Sequence, residues 1–363
     1  MQKVLMSEQM REVDRLTTEK YGIPSILLME NAAHATARII TEKLGGSVEG
    51  KSFLILCGKG NNGGDGAALA RILWQQNAWV TVNLLGKVND TKGDAKTNFE
   101  INKNLDIDNQ KFLPAILFQE YEDIQDWQKQ NLSQYTLIID SIFGTGLSRE
   151  VKGKLKEIIG RINSVQKNHE TKIFSIDLPS GLNADEANPI GKNISADLTV
   201  TFTAPKIANV LPPASNFNGE LHIANIGSPQ ELIDNCASQT FLAEKEDAQN
   251  WLERTKFSSD SYKNKRGNAL LIVGSKNYTG AAVLVGNAAM VSGIGLVTIA
   301  TSESAQESVS ARVLPEVITQ NLAETKNGAI SEKAFEKIKK LSEKADVLAI
   351  GSGLSSDEET TRK

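Results

Sequence analysis

The sequence is poor in the residues on which disulfide-stapled folds and zinc centres depend. Its 363 residues include two cysteines and three histidines. A disulfide framework is therefore disfavoured, and this cysteine usage is typical of a reducing compartment. Zinc binding is disfavoured as well, because zinc sites in proteins are built mainly from cysteine and histidine.

Long apolar runs, a basic surplus and a targeting segment are also lacking. No apolar run approaches the roughly 20 residues that span a bilayer. The formal charge of −4 gives no reason to expect nucleic-acid binding. Residues 1–15 lack the apolar core of a signal peptide, and their acidic residues argue against a transit peptide. We therefore expect a cytoplasmic protein with no membrane or nucleic-acid partner, and the sequence leaves a homo-oligomer open.

The stretch 52–73 combines a predicted strand, a glycine-rich turn and a predicted helix. An apolar run at 53–56 is typical of a buried strand, and five glycines follow within the nine residues 58–66. From Asp65 onward the apolar positions fall at helical spacing, so a helix is predicted to begin there. Such a turn offers a helix N-terminus and bare backbone amides to an anion.

Apolar runs at 135–139, 172–176 and 197–202 repeat the strand and loop pattern. The repeats predict an α/β fold, with a Rossmann-like, doubly wound, mostly parallel sheet between two layers of helices. A polar seam near 228–250 precedes a second α/β unit, so we predict domains over residues 1–240 and 241–363. Because the sequence stops soon after the predicted strand 346–350, we expect the second domain to be incomplete.

Ligands of open α/β sheets bind at the carboxyl ends of the strands, where four turns here carry polar groups. These turns cover residues 58–66, 140–149, 177–181 and 203–206. The first has the pattern G-x-G-x-x-G, but no acidic residue stands about twenty residues further on. An ordinary NAD-dependent dehydrogenase is therefore disfavoured. The second turn either offers amides, Ser148 and Arg149 to a phosphate or is a plain surface turn.

Oxygen-bearing side chains end three of the predicted strands: Asn62, Asp140 and Ser180. One carboxylate with an amide and a hydroxyl carries too little charge for a dedicated divalent site, so a monovalent cation is favoured. Asp177 ends an apolar strand, and there it is either a partly desolvated acid/base or a cap for the turn at Ser180.

These residues resemble the NAD(P)H-hydrate epimerase family (YjeF N-terminal domain) over about residues 1–240. The motifs that carry the resemblance are GKGNNGGDG at 58–66, Asp140 with GTG at 144–146, DLPSG at 177–181, Thr203 with PK at 205–206, and MENAA at 29–33. The resemblance implies an isomerase that interconverts the R and S hydrates of NADH and NADPH, called NADHX and NADPHX, in metabolite repair. It also implies potassium at Asn62, Asp140 and Ser180, with Asp177 and Lys206 as the catalytic residues. The residues implied to bind the hydrate are Asn61, Asn62, Gly63, Gly64, Asp65, Gly144, Thr145, Gly146, Leu147, Ser148, Arg149, Glu150 and Asp177.

From about Lys265 the chain resembles the ADP-dependent NAD(P)H-hydrate dehydratase domain, a lyase with a ribokinase-like fold. Residues 266–297 carry this resemblance, which implies that Ala281 and Gly353 line a hydrate pocket. The sequence GSGLS at 351–355 stands where that family usually has GPGLG. The family's ADP-binding segment and catalytic turn do not occur in these 363 residues. We therefore expect ADP or ATP, with magnesium, to serve only a longer chain, and expect no dehydratase activity from this one.

Two other functions compete with the epimerase. A catalytically inactive nucleotide-binding or scaffold domain would have lost its catalytic residues, whereas Asp177, Asp140 and Asn62 are all present. A sugar-kinase-like activity of the second half is disfavoured by the expected missing end.

Overall fold

The computed structural model of the chain describes residues 1–108, 114–122, 127, 129–168 and 171–356. Contacts within the chain divide it into two compact units, Met1–Ala243 and Glu244–Lys363. None of the helices in the described ranges is long and apolar enough to cross a membrane.

The first unit alternates strands and helices along most of its length. Its helices are α1 (Ser7–Glu19), α2 (Ser25–Lys43), α3 (Asn61–Gln75), α4 (Gly93–Asp108), α5 (Lys154–Asn168), α6 (Ile207–Val210) and α7 (Gln230–Asp234). Its strands are β1 (Gln2–Lys3), β2 (Ser52–Cys57), β3 (Trp79–Leu84), β4 (Ile116–Glu120), β5 (Leu137–Ser141), β6 (Lys172–Ile176), β7 (Leu198–Phe202), β8 (Glu220–Ala224) and β9 (Phe241–Leu242).

Seven of these strands form one sheet in the order β4-β3-β2-β5-β6-β7-β8, and every neighbouring pair is parallel. The central strands are buried and mostly apolar because helices cover both faces of the sheet. Apolar residues of α2, α3 and α4 pack on one face, and those of α5 pack on the other. The predicted α/β fold with a doubly wound parallel sheet between two helical layers is confirmed.

Helix α3 begins at Asn61, four residues before the predicted start at Asp65. The sequence favoured a turn there because of its glycines, but Gly63 and Gly66 lie within the helix. Glycine is required at these two positions because the helix packs very close to the turn after β2 and to the end of β5. A Cβ on Gly63 would lie 1.9 Å from the carbonyl oxygen of Gly58, and one on Gly66 would lie 2.1 Å from the Ser141 hydroxyl.

The second unit contains a smaller parallel sheet in the order β12-β11-β10-β13. Its strands are β10 (Asn268–Ile272), β11 (Leu296–Ser302), β12 (Ile318–Leu322) and β13 (Val347–Ile350). Its helices are α8 (Lys245–Glu253), α9 (Thr279–Val291), α10 (Glu303–Ser310) and α11 (Phe335–Ser342). This unit is thus α/β as well.

We expect Gly63→Ala to destabilise the first unit by about 2 kcal/mol or more, because the added Cβ would clash with a backbone oxygen. This clash should outweigh the ~1 kcal/mol by which alanine exceeds glycine in helix propensity. Urea unfolding followed by circular dichroism measures the change. Gly60→Ala is the matched control, because a Cβ there has no heavy atom within 4 Å. Equal unfolding midpoints for the two variants would contradict the argument.

Candidate functional site

The carboxyl ends of β2, β5, β6 and β7 lie side by side at one edge of the large sheet. Asp140 is the fourth residue of β5 and stands in register with Leu56 of β2 and Ser175 of β6. Asp177 directly follows β6, and Lys206 lies four residues beyond β7. The strand order reverses between β2 and β5, which is where open α/β sheets bind ligands. The topology therefore brings the predicted turns together at that position.

Asp177 and Lys206 form a buried ion pair. Nζ of Lys206 lies 2.7 Å from Oδ1 of Asp177, and only 1% of the lysine is exposed. Nζ also donates hydrogen bonds to the Thr201 hydroxyl at 2.8 Å and to the Phe202 carbonyl oxygen at 3.2 Å. The three ammonium hydrogens thus have three acceptors, which is what makes a buried charged lysine tolerable.

The second oxygen of Asp177 faces the loop after β5. Oδ2 accepts a hydrogen bond from the Thr145 backbone N–H at 3.2 Å, and a Cβ on Gly144 would lie 2.8 Å from it. The backbone of Asp177 has a φ of +67°, a strained conformation for a residue with a side chain. The alternative role as a cap for Ser180 is not observed, because the Ser180 N–H is bound by Asp140 instead.

Two further carboxylates act on this ion pair, Asp14 of α1 and Asp65 of α3. Burial raises the pKa of Asp14 from 3.8 to about 6, Lys206 opposes the rise, and Asp177 adds to it. Burial likewise raises the pKa of Asp65 well above its ordinary value, and the charges of Asp177 and Asp14 raise it further. One lysine therefore lies among three carboxyl groups, and such perturbed groups are typical of functional sites.

Asp65 was among the predicted substrate-binding residues, but Asp14 was not predicted at all. A sequence signal for Asp14 exists: it stands four residues after Met10 and three before Thr17, both buried on the inner face of α1. A charged residue within the apolar stripe of an amphipathic helix requires a partner inside the protein. That signal alone does not say which partner it has.

Asp140 is buried, and hydrogen bonds surround its carboxylate. Oδ1 accepts from the Ser180 hydroxyl at 2.5 Å, and Oδ2 accepts from the Ser180 backbone N–H and the Ser175 hydroxyl, both at 2.8 Å. Burial nevertheless raises the pKa of Asp140, while these bonds lower it. Two of the three predicted cation ligands, Asp140 and Ser180, are therefore in direct contact.

Asn62, the third predicted ligand, has both amide atoms buried, and no group in the described part of the chain bonds to either. A Cβ on Gly144 would lie 3.3 Å from its Cγ, which places it beside the same loop as Asp177. Phe143, which precedes Gly144 in this loop, donates its backbone N–H to the Ser180 hydroxyl at 2.9 Å. A buried amide without a partner is costly, so the donor set fits a cation that prefers neutral and anionic oxygens.

The loop 144–150 continues outward from this cluster, and it contains seven of the predicted binding residues. Gly146, Ser148 and Arg149 are exposed, whereas Glu150 pairs with Lys156 at 2.9 Å. Asn61 is exposed at the start of α3, and Gly63 and Gly64 are buried there. We call these exposed residues the rim, because they neighbour in sequence Thr145, which contacts Asp177, and Asn62, which lies beside Gly144.

The predicted pocket residues of the second unit also meet. A Cβ on Gly353 would lie 2.8 Å from that of Ala281, and the Ser275 hydroxyl donates to the Gly353 carbonyl oxygen at 2.7 Å. Gly353 has a φ of +71°, which favours glycine.

Two known families match the chain, one within each of the two compact units. The family described as YjeF-related protein N-terminus matches residues 25–208, and the family described as NAD(P)H-hydrate dehydratase matches residues 269–362.

Similar proteins include bifunctional repair enzymes and epimerases. A bifunctional NAD(P)H-hydrate repair enzyme Nnr from Moorella thermoacetica is 37% identical over 98% of this chain and 65% of its own length. An Nnr from Thermofilum pendens is 32% identical over 99% of this chain and 64% of its own length. This chain therefore spans slightly less than two thirds of these relatives. An NAD(P)H-hydrate epimerase from Oenococcus oeni is 34% identical over 61% of this chain and 96% of its own length.

A solved yeast structure, ynu0 (YNL200c), matches with a TM-score of 0.51 at 24% identity, over 68% of this chain and 98% of that one. At that identity the likeness bears on the fold alone. The family match over half of the chain and the nearly full-length match to an epimerase agree with each other, and the resemblance stated from the sequence is confirmed. This chain belongs to the family of YjeF-related proteins, through its N-terminal domain.

Proposed function

We propose that the first unit is an NAD(P)H-hydrate epimerase, which interconverts the R and S forms of NADHX and NADPHX in metabolite repair. The observation that carries the proposal is the buried Asp177–Lys206 pair at the strand-end edge of the sheet. Relatives matched over 96% and 85% of their lengths are named NAD(P)H-hydrate epimerases. A catalytically inactive scaffold is less well supported, because these relatives are named as enzymes and the buried pair is intact.

The reaction must break and remake one C–O bond at C6 of the nicotinamide ring. The C6 hydroxyl takes a proton from Asp177 and leaves as water with the electrons of the C–O bond, while the lone pair of the ring nitrogen moves toward C6 and the ring becomes cationic. Water then adds to C6 from either face, and its proton returns to Asp177, so that no proton is gained or lost overall.

The ion pair suits the cationic ring because of its charge. While Asp177 holds the proton, the pair carries the positive charge of Lys206, and after Asp177 gives the proton to the leaving hydroxyl the pair is neutral. The negative charge on Asp177 therefore appears only when the ring becomes positive, so it stabilises the transition state more than the bound substrate. Burial of the lysine away from water strengthens the effect.

The rim supports the binding of a dinucleotide. The N-terminus of α3 presents backbone amides beside Asn61, and the loop 144–150 adds Ser148 and Arg149. Helix N-termini and guanidinium groups both favour phosphates. We propose that these two segments hold the phosphates and ribose of the hydrate, with Gly144 leaving room for the ring beside Asp177.

A potassium ion would be held by Asn62, Asp140 and Ser180. Two observations support this site: the amide of Asn62 is buried without a partner, and the Ser180 hydroxyl contacts Asp140. Among the described residues, no three His, Cys, Asp or Glu side chains are placed to hold a metal together, so a cation here would depend on neutral oxygens. Bound potassium would supply positive charge to the carboxylate and fix the loop between these ligands.

The second unit is proposed as the dehydratase part, with Ala281 and Gly353 lining its hydrate pocket. ADP or ATP, and magnesium, would belong to that reaction. The absence of dehydratase activity from these 363 residues stays a prediction, as do the cytoplasmic location and the homo-oligomer. Incubation of the purified chain with S-NADHX, ADP and magnesium tests the first of these.

We expect Asp177→Asn to slow epimerisation by 10²- to 10⁴-fold, the range that general acid–base groups contribute. Pure R-NADHX is supplied, and the appearance of the S form is followed by chromatography. Asp234→Asn is the matched control, because Asp234 is exposed on α7 and bonds to Gln230 on the same helix. A wild-type rate in Asp177→Asn would overturn the assigned role.

We expect epimerisation to rise with potassium concentration at constant ionic strength and to respond far less to lithium or choline. Asn62→Ala should raise the potassium concentration needed for half-maximal rate by at least about tenfold, since one good ligand is worth about 1.4 kcal/mol or more. Ser148→Ala, which removes a rim hydroxyl but no cation ligand, is the control. A rate that does not depend on the identity of the salt cation would contradict the proposed site.

A further inference from the structure

The N-terminal helix α1 is fixed to the loops that carry the ion pair. The Ser7 backbone N–H and hydroxyl each donate to a carboxylate oxygen of Asp185 at 2.6 Å, and Asp185 lies in the loop that begins with Asp177. The Leu5 N–H donates to the carbonyl oxygen of Pro205 at 2.9 Å, immediately before Lys206. Met10 and Val13 of this helix pack with Ala204 in one apolar cluster. The position of α1 relative to Lys206 is therefore set by bonds at both loops.

Asp14 lies on the inward face of this fixed helix, next to Val13 and one turn from Met10 and Thr17. Its Oδ1 is buried, and no hydrogen-bond donor in the described ranges reaches it. A buried carboxylate oxygen without a hydrogen-bond partner is costly, and acids perturbed in this way cluster at functional sites. An apolar or amide residue would fit the same helix face at less cost.

We propose that Asp14 is a positioning residue of the epimerase site, which acts through Lys206 by giving that lysine a second negative partner while Asp177 holds the proton that it exchanges with the substrate. The proposal rests on the proposed epimerisation, because it concerns the proton that Asp177 exchanges with the substrate. It assigns to α1, which lies outside the four strand-end turns, an indirect part in the chemistry through Lys206.

Lys206 needs a second negative partner because of the charges that surround it. If Asp177 were the only counter-ion of Lys206, protonating Asp177 would leave a buried ammonium without a negative partner, which is strongly unfavourable. With Asp14 ionised, the lysine keeps a counter-ion while Asp177 carries a proton.

The charged groups around Asp14 are consistent with its role as a second counter-ion of Lys206. Those that act on its charge are Lys206 after β7, Asp177 after β6 and, through its coupling to Asp14, Asp65 on α3. Other ionisable groups near α1 contact different positions: Asp185 binds Ser7 at the start of the helix, Glu231 binds Tyr21 beyond its end, and Cys236 is influenced by Lys3 and Glu12. Asp14 thus faces one cation and two acids.

The pH dependence has a definite sign. The pKa of Asp14 is raised to about 6, so below that pH it is neutral and cannot act as the second counter-ion of Lys206. Epimerisation should therefore rise as pH increases through about 6. The same shift makes ionised Asp14 destabilising: the contribution of neutral Asp14 to folding stability is fully present below pH 3.8 and is lost as the pH rises through about 6.

The test compares the pH profiles of kcat for the wild-type chain, Asp14→Asn, Asp14→Glu and Glu12→Gln between pH 5 and 8. We expect Asp14→Asn to be at least tenfold slower at pH 7.5, to lack the rise near pH 6, and to approach the wild-type rate at pH 5. Asp14→Glu should restore the rise in part. Glu12→Gln removes an exposed acid of the same helix and should match the wild type.

A folding defect is distinguished by the thermal midpoint. Asp14→Asn should unfold at a temperature at least equal to that of the wild type at pH 7.5, because it removes a destabilising buried charge. A slow variant with a lower midpoint and an unaltered rise near pH 6 would show a merely structural role and overturn the proposal. A wild-type rate and profile in Asp14→Asn would overturn it as well.

A second measurement needs no substrate. Carbon-13 NMR of labelled aspartate carboxyls in the full chain should show Asp14 titrating near pH 6, and Asp177→Asn should move that titration to lower pH, since the charge of Asp177 raises it. No shift would refute the coupling. If the wild-type chain does not epimerise R-NADHX although this coupling is observed, the proposed function fails and the charge arrangement stands.

Discussion

The Asp177–Lys206 ion pair is the interaction on which the rest of the site depends. Burying a lysine is tolerated only when each of its hydrogens meets an acceptor and a negative charge lies close. The chain meets that condition with Thr201, Phe202 and Asp177, all at the carboxyl ends of adjacent parallel strands. The parallel sheet thus has two roles: it forms the apolar core, and it brings together the acceptors of the Lys206 ammonium.

Close packing around the glycine-rich turn imposes a second constraint. Helix α3 lies so near the β2 turn and β5 that Gly63 and Gly66 have no room for side chains. This proximity brings Asn62 and Asp65 beside the Asp140 and Asp177 turns, whereas a looser helix would hold them at the surface. The glycines therefore serve packing, in addition to the access to a phosphate that we propose for them.

Stability and chemistry oppose one another at this edge of the sheet. Asp14, Asp65 and Asp140 are all acids whose pKa is raised by burial, so each is easier to bury neutral than charged. A strained backbone at Asp177 adds to that cost. Such concentrations of unfavourable features persist where they are used, and the surrounding apolar core of the seven-stranded sheet stabilises the domain enough to tolerate them.

The sequence by itself determined the fold class, the order of the strands along the chain and most of the candidate site, because apolar runs, glycines and acids at strand ends are local patterns. It placed Asp177, Lys206, Asp140 and Ser180 correctly at one edge, since parallel strands end together. It could not decide that α3 starts at Asn61, nor that Asp14 belongs to the site. Those outcomes depend on how closely α3 and α1 pack against distant loops, and only the tertiary structure fixes distances between residues far apart in the chain.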